Sequence, residues 1–250
     1  MTTADASATG SRAPVTVVTG GGRGIGAAIS RRLAAAGHDL VLTYRRDAAA
    51  ADTVATELRA TGSRVLLAQV DTTDEAAVRE LFALARGLGP LTGLVNNAGA
   101  ATAVGPLAGS ALVDVRRDLD VNLFGVVACC RYAIPELSRG GAIVNISSAA
   151  ATLGSPGTYV HYAAAKAGVE ALTVGLAKEL APQGIRVNAV APGTVWSDFH
   201  RDPERPAKVA HTIPLGRPGT PEEIAGAVAW LLSDDARYAT GTTIRVAGGL

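Results

Sequence analysis

Two rhythms of apolar residues alternate along this chain. Residues 14–19 (Pro-Val-Thr-Val-Val-Thr) form a short β-branched run that breaks into glycines. Residues 25–36 then follow helical spacing, with Ile29 and Leu33 four apart and Gly37 as the stop. The alternation continues, predicting strands over 40–43, 64–70, 91–95, 142–146, 186–191 and 242–246. Helices are predicted over 48–60, 74–86 with Asp74 near the start, 113–137, 159–180, and 221–232 with Pro221 in the favoured first turn. One polar, proline-bearing segment, 197–218, interrupts the pattern. Nearly continuous apolar strands alternating with helices imply a parallel sheet covered on both faces. The expected fold is a single-domain α/β protein with a doubly wound, Rossmann-type sheet of about seven strands, whose ligand crevice lies beyond the strand C-termini.

Composition narrows the picture. With 250 residues, 48% hydrophobic and 18% charged, the chain can bury a large core and does not read as disordered. A formal net charge of +1 gives no basic field for nucleic acid, and no apolar run is long enough for a membrane span. Residues 1–13, rich in Thr, Ala and Ser without an apolar block, read as a flexible tail rather than a signal peptide, leaving 14–250 as the folded domain. Cys129 and Cys130 are adjacent on an expected helix, so a bridge or metal site between them is not expected and a reducing, cytoplasmic setting fits. His161, His200 and His211 are scattered and read as surface or pocket-edge residues, not as a metal set.

The glycines after the first strand are the first candidate chemistry. Thr19-Gly20-Gly21-Gly22-Arg23-Gly24-Ile25-Gly26 lies between a strand and a helix, where glycines let a pyrophosphate approach the backbone and the helix N-terminus offers free N–H groups. No Lys-Ser/Thr pair follows, which removes the mononucleotide phosphate loop; the strand before and helix after favour a dinucleotide, the competing reading being a glycine turn made for steric reasons alone. At the end of the second strand, where a carboxylate would clasp a free ribose 2′-hydroxyl, the chain reads Tyr44-Arg45-Arg46. Together with Arg23, these guanidiniums favour a 2′-phosphate, so NADP(H) is the expected cofactor and NAD(H) the alternative. The competing reading of Arg45 and Arg46 is a solvated turn.

These features, with Asp71, Asn96-Asn97-Ala98-Gly99, Asn122, Ser147-Ser148, Tyr162-Ala163-Ala164-Ala165-Lys166 and Pro192-Gly193, appear in the order and spacing of a known family. The chain resembles the short-chain dehydrogenase/reductases from Pro14 to Gly249, particularly compact members such as 3-oxoacyl-carrier-protein reductases and glucose dehydrogenases. The resemblance implies that Asp71, with Thr72 beside it, meets the adenine. It also implies that Asn97, Ala98 and Gly99 back the adenosine ribose. Past Pro192 and Gly193, it places the nicotinamide carboxamide against Thr194, Val195 and Ser197, the last standing where the family often has Thr. A homotetramer is implied as well, and the apolar breadth of the helices over 113–137 and 159–180 agrees with a packed partner subunit.

Reduction of a ketone needs a proton donor and a group that polarises the oxygen. Tyrosine, with a reference pKa of about 10, needs a neighbouring cation to work near neutrality. Lys166 follows Tyr162 by four residues on one helical face, so its ammonium is expected to favour tyrosinate. Alone, that spacing equally describes an ordinary surface pair. Ser148, at the end of a strand, can hydrogen-bond the substrate oxygen; it is preferred to Ser147 because Gly154 then matches its family counterpart. Asn122, by the same resemblance, anchors a water-mediated proton path to Lys166.

The expected activity is NADP(H)-dependent reduction of a ketone or aldehyde, with Tyr162 as proton donor. An alcohol or sugar dehydrogenase using NAD(P) is the alternative, and a cofactor-binding sensor without turnover the second. Small residues near Ser148 imply a roomy pocket, 197–218 is expected to act as a lid, and no arginine cluster marks a carboxylate or phosphate substrate.

Overall fold

A computed structural model of the protein describes residues 13–197, 199 and 202–250. The expected tail, apart from residue 13, and His200 lie outside the described residues. Strands β1 (Val15–Val18), β2 (Asp39–Tyr44), β3 (Val65–Gln69), β4 (Leu91–Asn96), β5 (Leu137–Ile146), β6 (Arg186–Pro192) and β7 (Thr243–Val246) form one sheet in the order β3-β2-β1-β4-β5-β6-β7. Every pairing is parallel. The strand order reverses between β1 and β4, which opens a crevice at their C-terminal ends.

Period-two alternation divides the core between the two faces of the sheet. In β1, Val15 and Val17 enter one cluster and Val18 the other. The first cluster is capped by α3 (Glu75–Leu88), α5 (Gly125–Ala133) and α7 (Val160–Leu180), through residues such as Leu81, Cys129 and Val169. The second takes Ile29 and Leu33 from α1 (Gly24–Ala35), Leu58 from α2 (Ala48–Ala60) and Val228 from α9 (Pro221–Leu232). Local signals set several boundaries. Asp74 accepts from the Ala76 and Ala77 amides at the start of α3. Thr220 and Glu223 form a capping box around Pro221 at the start of α9.

The helix expected over 113–137 is not continuous. α4 (Leu112–Leu119) passes through a π-turn at Asp120–Phe124 into α5, and a 3₁₀ turn at Ile134–Glu136, containing Pro135, ends the run. Leu137 is already strand. β5 therefore begins earlier than the expected 142, and its register against β4 jumps between Leu91↔Leu137 and Gly93↔Ala142, the mark of a bulge. Two short helices were not expected: α6 (Ala150–Leu153), and α8 (Arg205–Val209) within the proline-bearing segment.

Candidate active site

A cavity of about 570 Å³ occupies the crevice and reaches along the C-terminal edge of the sheet. Every site residue expected from the sequence lines it except Asn122, which stands behind Gly99. Gly20, Gly22, Arg23, Gly24, Ile25 and Gly26 lie at one end with Tyr44, Arg45, Arg46, Asp71 and Thr72. Asn97, Ala98, Gly99, Pro192, Gly193, Thr194, Val195 and Ser197 line the middle, and Ser148, Tyr162 and Lys166 the far part.

The glycine loop is built for close approach. A Cβ at Gly26 would overlap the Gly20 carbonyl oxygen, and Gly20 itself adopts φ +64°. Asn97 Nδ2 donates to the carbonyls of Thr19 and Gly20 at 2.9 and 3.1 Å, while Thr19 Oγ1 accepts from the amides of Asn97 and Ala98 at 2.9 and 3.0 Å. These bonds tie the end of β4 to the glycine loop. The N-cap residue Arg23 makes no side-chain capping bond and the first turn of α1 holds no acidic residue, so its positive dipole end faces the cavity. That is a cradle for a pyrophosphate, and the residues present fit a dinucleotide.

Arg45 Nη1 lies 3.6 Å from Asp71 Oδ2. Burial works against the Asp71 anion, but hydrogen bonds from Thr73 and the Arg45 charge hold its carboxyl below the usual range. Burial and the neighbouring Arg46 lower Arg45 in turn, with Arg117 and Arg23 adding to the crowd of positive charge.

Tyr162 and Lys166 sit one turn apart near the start of α7, both buried. Lys166 Nζ donates to the Ile146 carbonyl at 2.8 Å and stands 5.7 Å from the centroid of the Tyr162 ring. Burial pushes Lys166 down to about 8. It pushes Tyr162 up, with Tyr159 adding to the rise, Ser148 opposing it through a hydrogen bond, and Asp118 adding again. The expectation that Lys166 draws Tyr162 towards tyrosinate has no counterpart in this shift, whose largest cause is burial. The Lys166 ammonium is engaged by the Ile146 carbonyl.

The two serines separate cleanly. Ser147 Oγ lies 2.8 Å from Glu170 Oε1 and 3.3 Å from the Lys166 carbonyl oxygen, engaged away from Tyr162, whereas Ser148 Oγ accepts from the Ala150 amide at 3.2 Å and is the serine that lowers the Tyr162 hydroxyl. Asn122, on the π-turn, donates to the carbonyls of Ala100 and Asp118 at 2.6 and 2.8 Å and accepts from the Ala100 amide at 3.2 Å. A Cβ added to Gly99 would lie 3.0 Å from Asn122 Oδ1 and 3.9 Å from Lys166 Nζ, so both groups face that one glycine.

Sequence reasoning missed two residues. Asp118, one turn before Asn122, is fully buried and accepts from the Thr102 amide at 2.8 Å, the Ala103 amide at 3.0 Å and the Thr102 hydroxyl at 2.5 Å. It also meets His161 Nε2 at 3.0 Å. His161 is thus buried behind Tyr162 rather than at a surface or pocket edge, because the start of α7 packs on α4. The i, i+4 spacing of Asp118 and Asn122 was the available signal. Arg205 reaches the cavity from α8, and nothing in its local sequence distinguishes it from a surface arginine.

Comparison with known proteins agrees with this geometry. Residues 20–250 match the family described as Enoyl-(Acyl carrier protein) reductase. The chain is 41% identical to the uncharacterized oxidoreductase YgfF of Escherichia coli K12, over 94% of this chain and 99% of that protein. It is 39% identical to a 3-oxoacyl-[acyl-carrier-protein] reductase of Synechocystis sp., over 95% and 97%. A short-chain dehydrogenase from Burkholderia cenocepacia, solved in complex with NADP, superposes with a TM-score of 0.90 at 36% identity, covering 94% of this chain and 97% of that one. On its sequence, its seven-stranded parallel sheet and these likenesses, the chain belongs to the short-chain dehydrogenase/reductase family.

Proposed function

We propose that the protein is an NADP(H)-dependent carbonyl reductase with Tyr162 as its proton donor. One observation carries the reading: a buried Tyr162, with Lys166 Nζ 5.7 Å from its ring centroid and Ser148 in the same cavity, shares that cavity with the N-terminus of α1 and an arginine-rich end. When bound, NADPH supplies a hydride to the carbonyl carbon. Ser148 donates a hydrogen bond to the carbonyl oxygen, and Tyr162 passes its proton to the same atom. Lys166, cationic below about 8, stabilises the phenolate that Tyr162 becomes. Asn122 holds the backbone at Ala100 and, across Gly99, faces Lys166 along the path by which the proton is replaced.

The rest of the cleft is read in the same way. The amides from Gly20 to Gly26 take the pyrophosphate, and Arg23, Arg45 and Arg46, with Tyr44, surround the 2′-phosphate. Asp71 and Thr72 flank the adenine, Asn97 to Gly99 the ribose, and Pro192 to Val195 with Ser197 the carboxamide. The complex of the Burkholderia relative with NADP and the reductase activity named for the Synechocystis relative support this cofactor and direction. Residues 14–250 are taken as one catalytic domain preceded by a tail, and 197–218 as the lid over the substrate. A cytoplasmic setting suits two free, buried thiols, and no helix among the described residues is long and apolar enough to cross a membrane; cell fractionation checks the setting. Exposed Leu112, Val113 and Phe124 on and between α4 and α5 support a homotetramer, which light scattering tests against the 25.2 kDa chain mass.

The deciding experiment is a carbonyl and alcohol panel assayed with NADPH/NADP and NADH/NAD. Oxidation of NADPH by ketones or aldehydes, faster than of NADH, is the expected result. Turnover only of alcohols with NAD would move the protein to the dehydrogenase reading. Tight NADPH binding without any turnover would make it a sensor.

A further inference from the structure

Beyond Tyr162 the cavity is walled by Leu153, Tyr159, Phe199 and Val209, an apolar and aromatic surface. The other charged residues that line the cavity, Arg23, Arg45, Arg46, Asp47 and Asp71, belong to the glycine-loop end, and Lys166 lies behind Tyr162. Arg205 is the one charged side chain among the described residues that line the substrate end. Its Cζ stands 5.9 Å from the centroid of the Tyr159 ring. That ring meets Tyr162 edge-on at 5.1 Å, and Phe199 packs on Tyr162 at 5.6 Å. The guanidinium is thus held over an aromatic face one ring away from the reacting hydroxyl.

Arg205 is also short of a partner. Its Nε–H is buried and meets no acceptor among the described residues. The carboxylate that feels its field, Asp202, is occupied by Lys208 at 2.7 Å and by the Glu204 amide at 3.0 Å. A buried donor on a permanent cation is costly to leave unpaired, and native structures leave few such groups without a functional cause. The planar fork of arginine matches a carboxylate, whose two oxygens it can engage side by side.

We propose that Arg205 binds a carboxylate on the substrate, and that the substrates are oxo acids whose ketone and carboxylate are separated by an apolar spacer. The proposal rests on the reductase reading of the same cavity. The carboxylate is unchanged in the reaction: hydride adds to the carbonyl carbon, the Tyr162 proton goes to its oxygen, and C=O becomes CH–OH as NADPH becomes NADP⁺. The aromatic walls of Tyr159 and Phe199 take the spacer, and Arg205 sets how far from the carboxylate the reacting carbonyl lies.

The test uses matched pairs, each an oxo acid and its methyl ester, with the NADPH-loaded protein and its Arg205→Met variant. Methionine keeps an unbranched apolar stem against Tyr159 and removes the charge and the fork. Calorimetry reads Kd, and steady-state assays read kcat and KM. The wild type should bind the acid about tenfold to a hundredfold more tightly than the ester, the range of a charged hydrogen bond. In Arg205→Met that preference should collapse through the KM of the acid, while NADPH affinity is kept. Arg205→Lys should restore part of the affinity for the acid. Equal binding of acid and ester by the wild type, or a preference that survives in Arg205→Met, overturns the proposal. An acid preference lost in Arg205→Met, without turnover of any carbonyl, upholds the Arg205 site and removes the reductase reading. Ester turnover with no acid preference removes Arg205 alone.

Discussion

At the glycine-loop end of the cleft, Arg45 and Asp71 face each other at 3.6 Å with side chains 32% and 41% exposed. At the Tyr162 end, Lys166 is only 3% exposed and its ammonium donates to a backbone carbonyl. Both ends carry cations, but they use them differently. In the first, water screens the charges and several guanidiniums share the work, so the site recognises an anion without much burden on folding. In the second, removal of water lowers Lys166 to about 8 and lifts Tyr162 above its ordinary value, so single protons become decisive. The contrast orders the consequences of substitution.

The largest effect should come from Tyr162→Phe. Loss of the proton donor is expected to reduce kcat by about a thousandfold, the middle of the range for general acids. NADPH affinity, measured by fluorescence titration, should change little. Substantial residual turnover would place the proton donor elsewhere and dissolve the contrast between the two ends.

Next is Lys166→Met, which should lower kcat by about a hundredfold yet stabilise the fold. The folded pKa of Lys166 lies below its free value of 10.5, so between about 8 and 10.5 the unfolded chain holds a proton that the folded chain lacks. Stability therefore rises with pH in that window, and the cost of the buried ammonium is fully present below about 8. A fall from 10.5 to about 8 corresponds to about 3 kcal/mol. Setting about 1 kcal/mol against it for the lost bond to Ile146 leaves a net gain of about 2 kcal/mol at pH 7. Denaturant titrations of wild type and variant should converge as pH approaches 10.5. A variant that is less stable at pH 7 would show that the ammonium is better solvated than its burial implies. The same ionisation makes reduction by the wild type fall as pH rises through about 8.

Arg45→Asp should have the smallest effect. Because Arg23, Arg46 and Arg117 remain nearby, the NADPH over NADH preference in kcat/KM should drop about tenfold rather than vanish, roughly 1.4 kcal/mol. A loss as large as that of Tyr162→Phe would mean that one arginine carries the 2′-phosphate alone. No change would return Arg45 to the role of a solvated turn.

How much of this was legible in the sequence depended on whether the cause was local. The helices at 48–60 and 221–232 have the expected bounds because their capping residues, Asp47 in one and Thr220, Pro221 and Glu223 in the other, act within one turn. The π-turn at 120–124 was invisible because Asp-Val-Asn-Leu-Phe continues helical spacing. Its placement depends on distant contacts, such as Gly125 against Thr72, where a Cβ would come within 2.6 Å of the threonine hydroxyl. The early start of β5 was hidden by Ser138-Arg139-Gly140-Gly141, which reads as a turn but bulges beside Leu91.

By itself, the sequence determined the parallel α/β architecture, the dinucleotide cradle and the Tyr162/Lys166 pair, since periodicity and motif spacing are short-range properties, while the family resemblance added Asn122 and the Ser147-Ser148 pair as candidates for chemistry. Tertiary structure alone decided which serine is free to face Tyr162, that His161 is buried on Asp118, and that Arg205 arrives at the substrate end from a remote segment. It also decided the proton inventory. Desolvation depends on everything packed around a group, so the sign of the Tyr162 shift could be read only once the chain had closed over it.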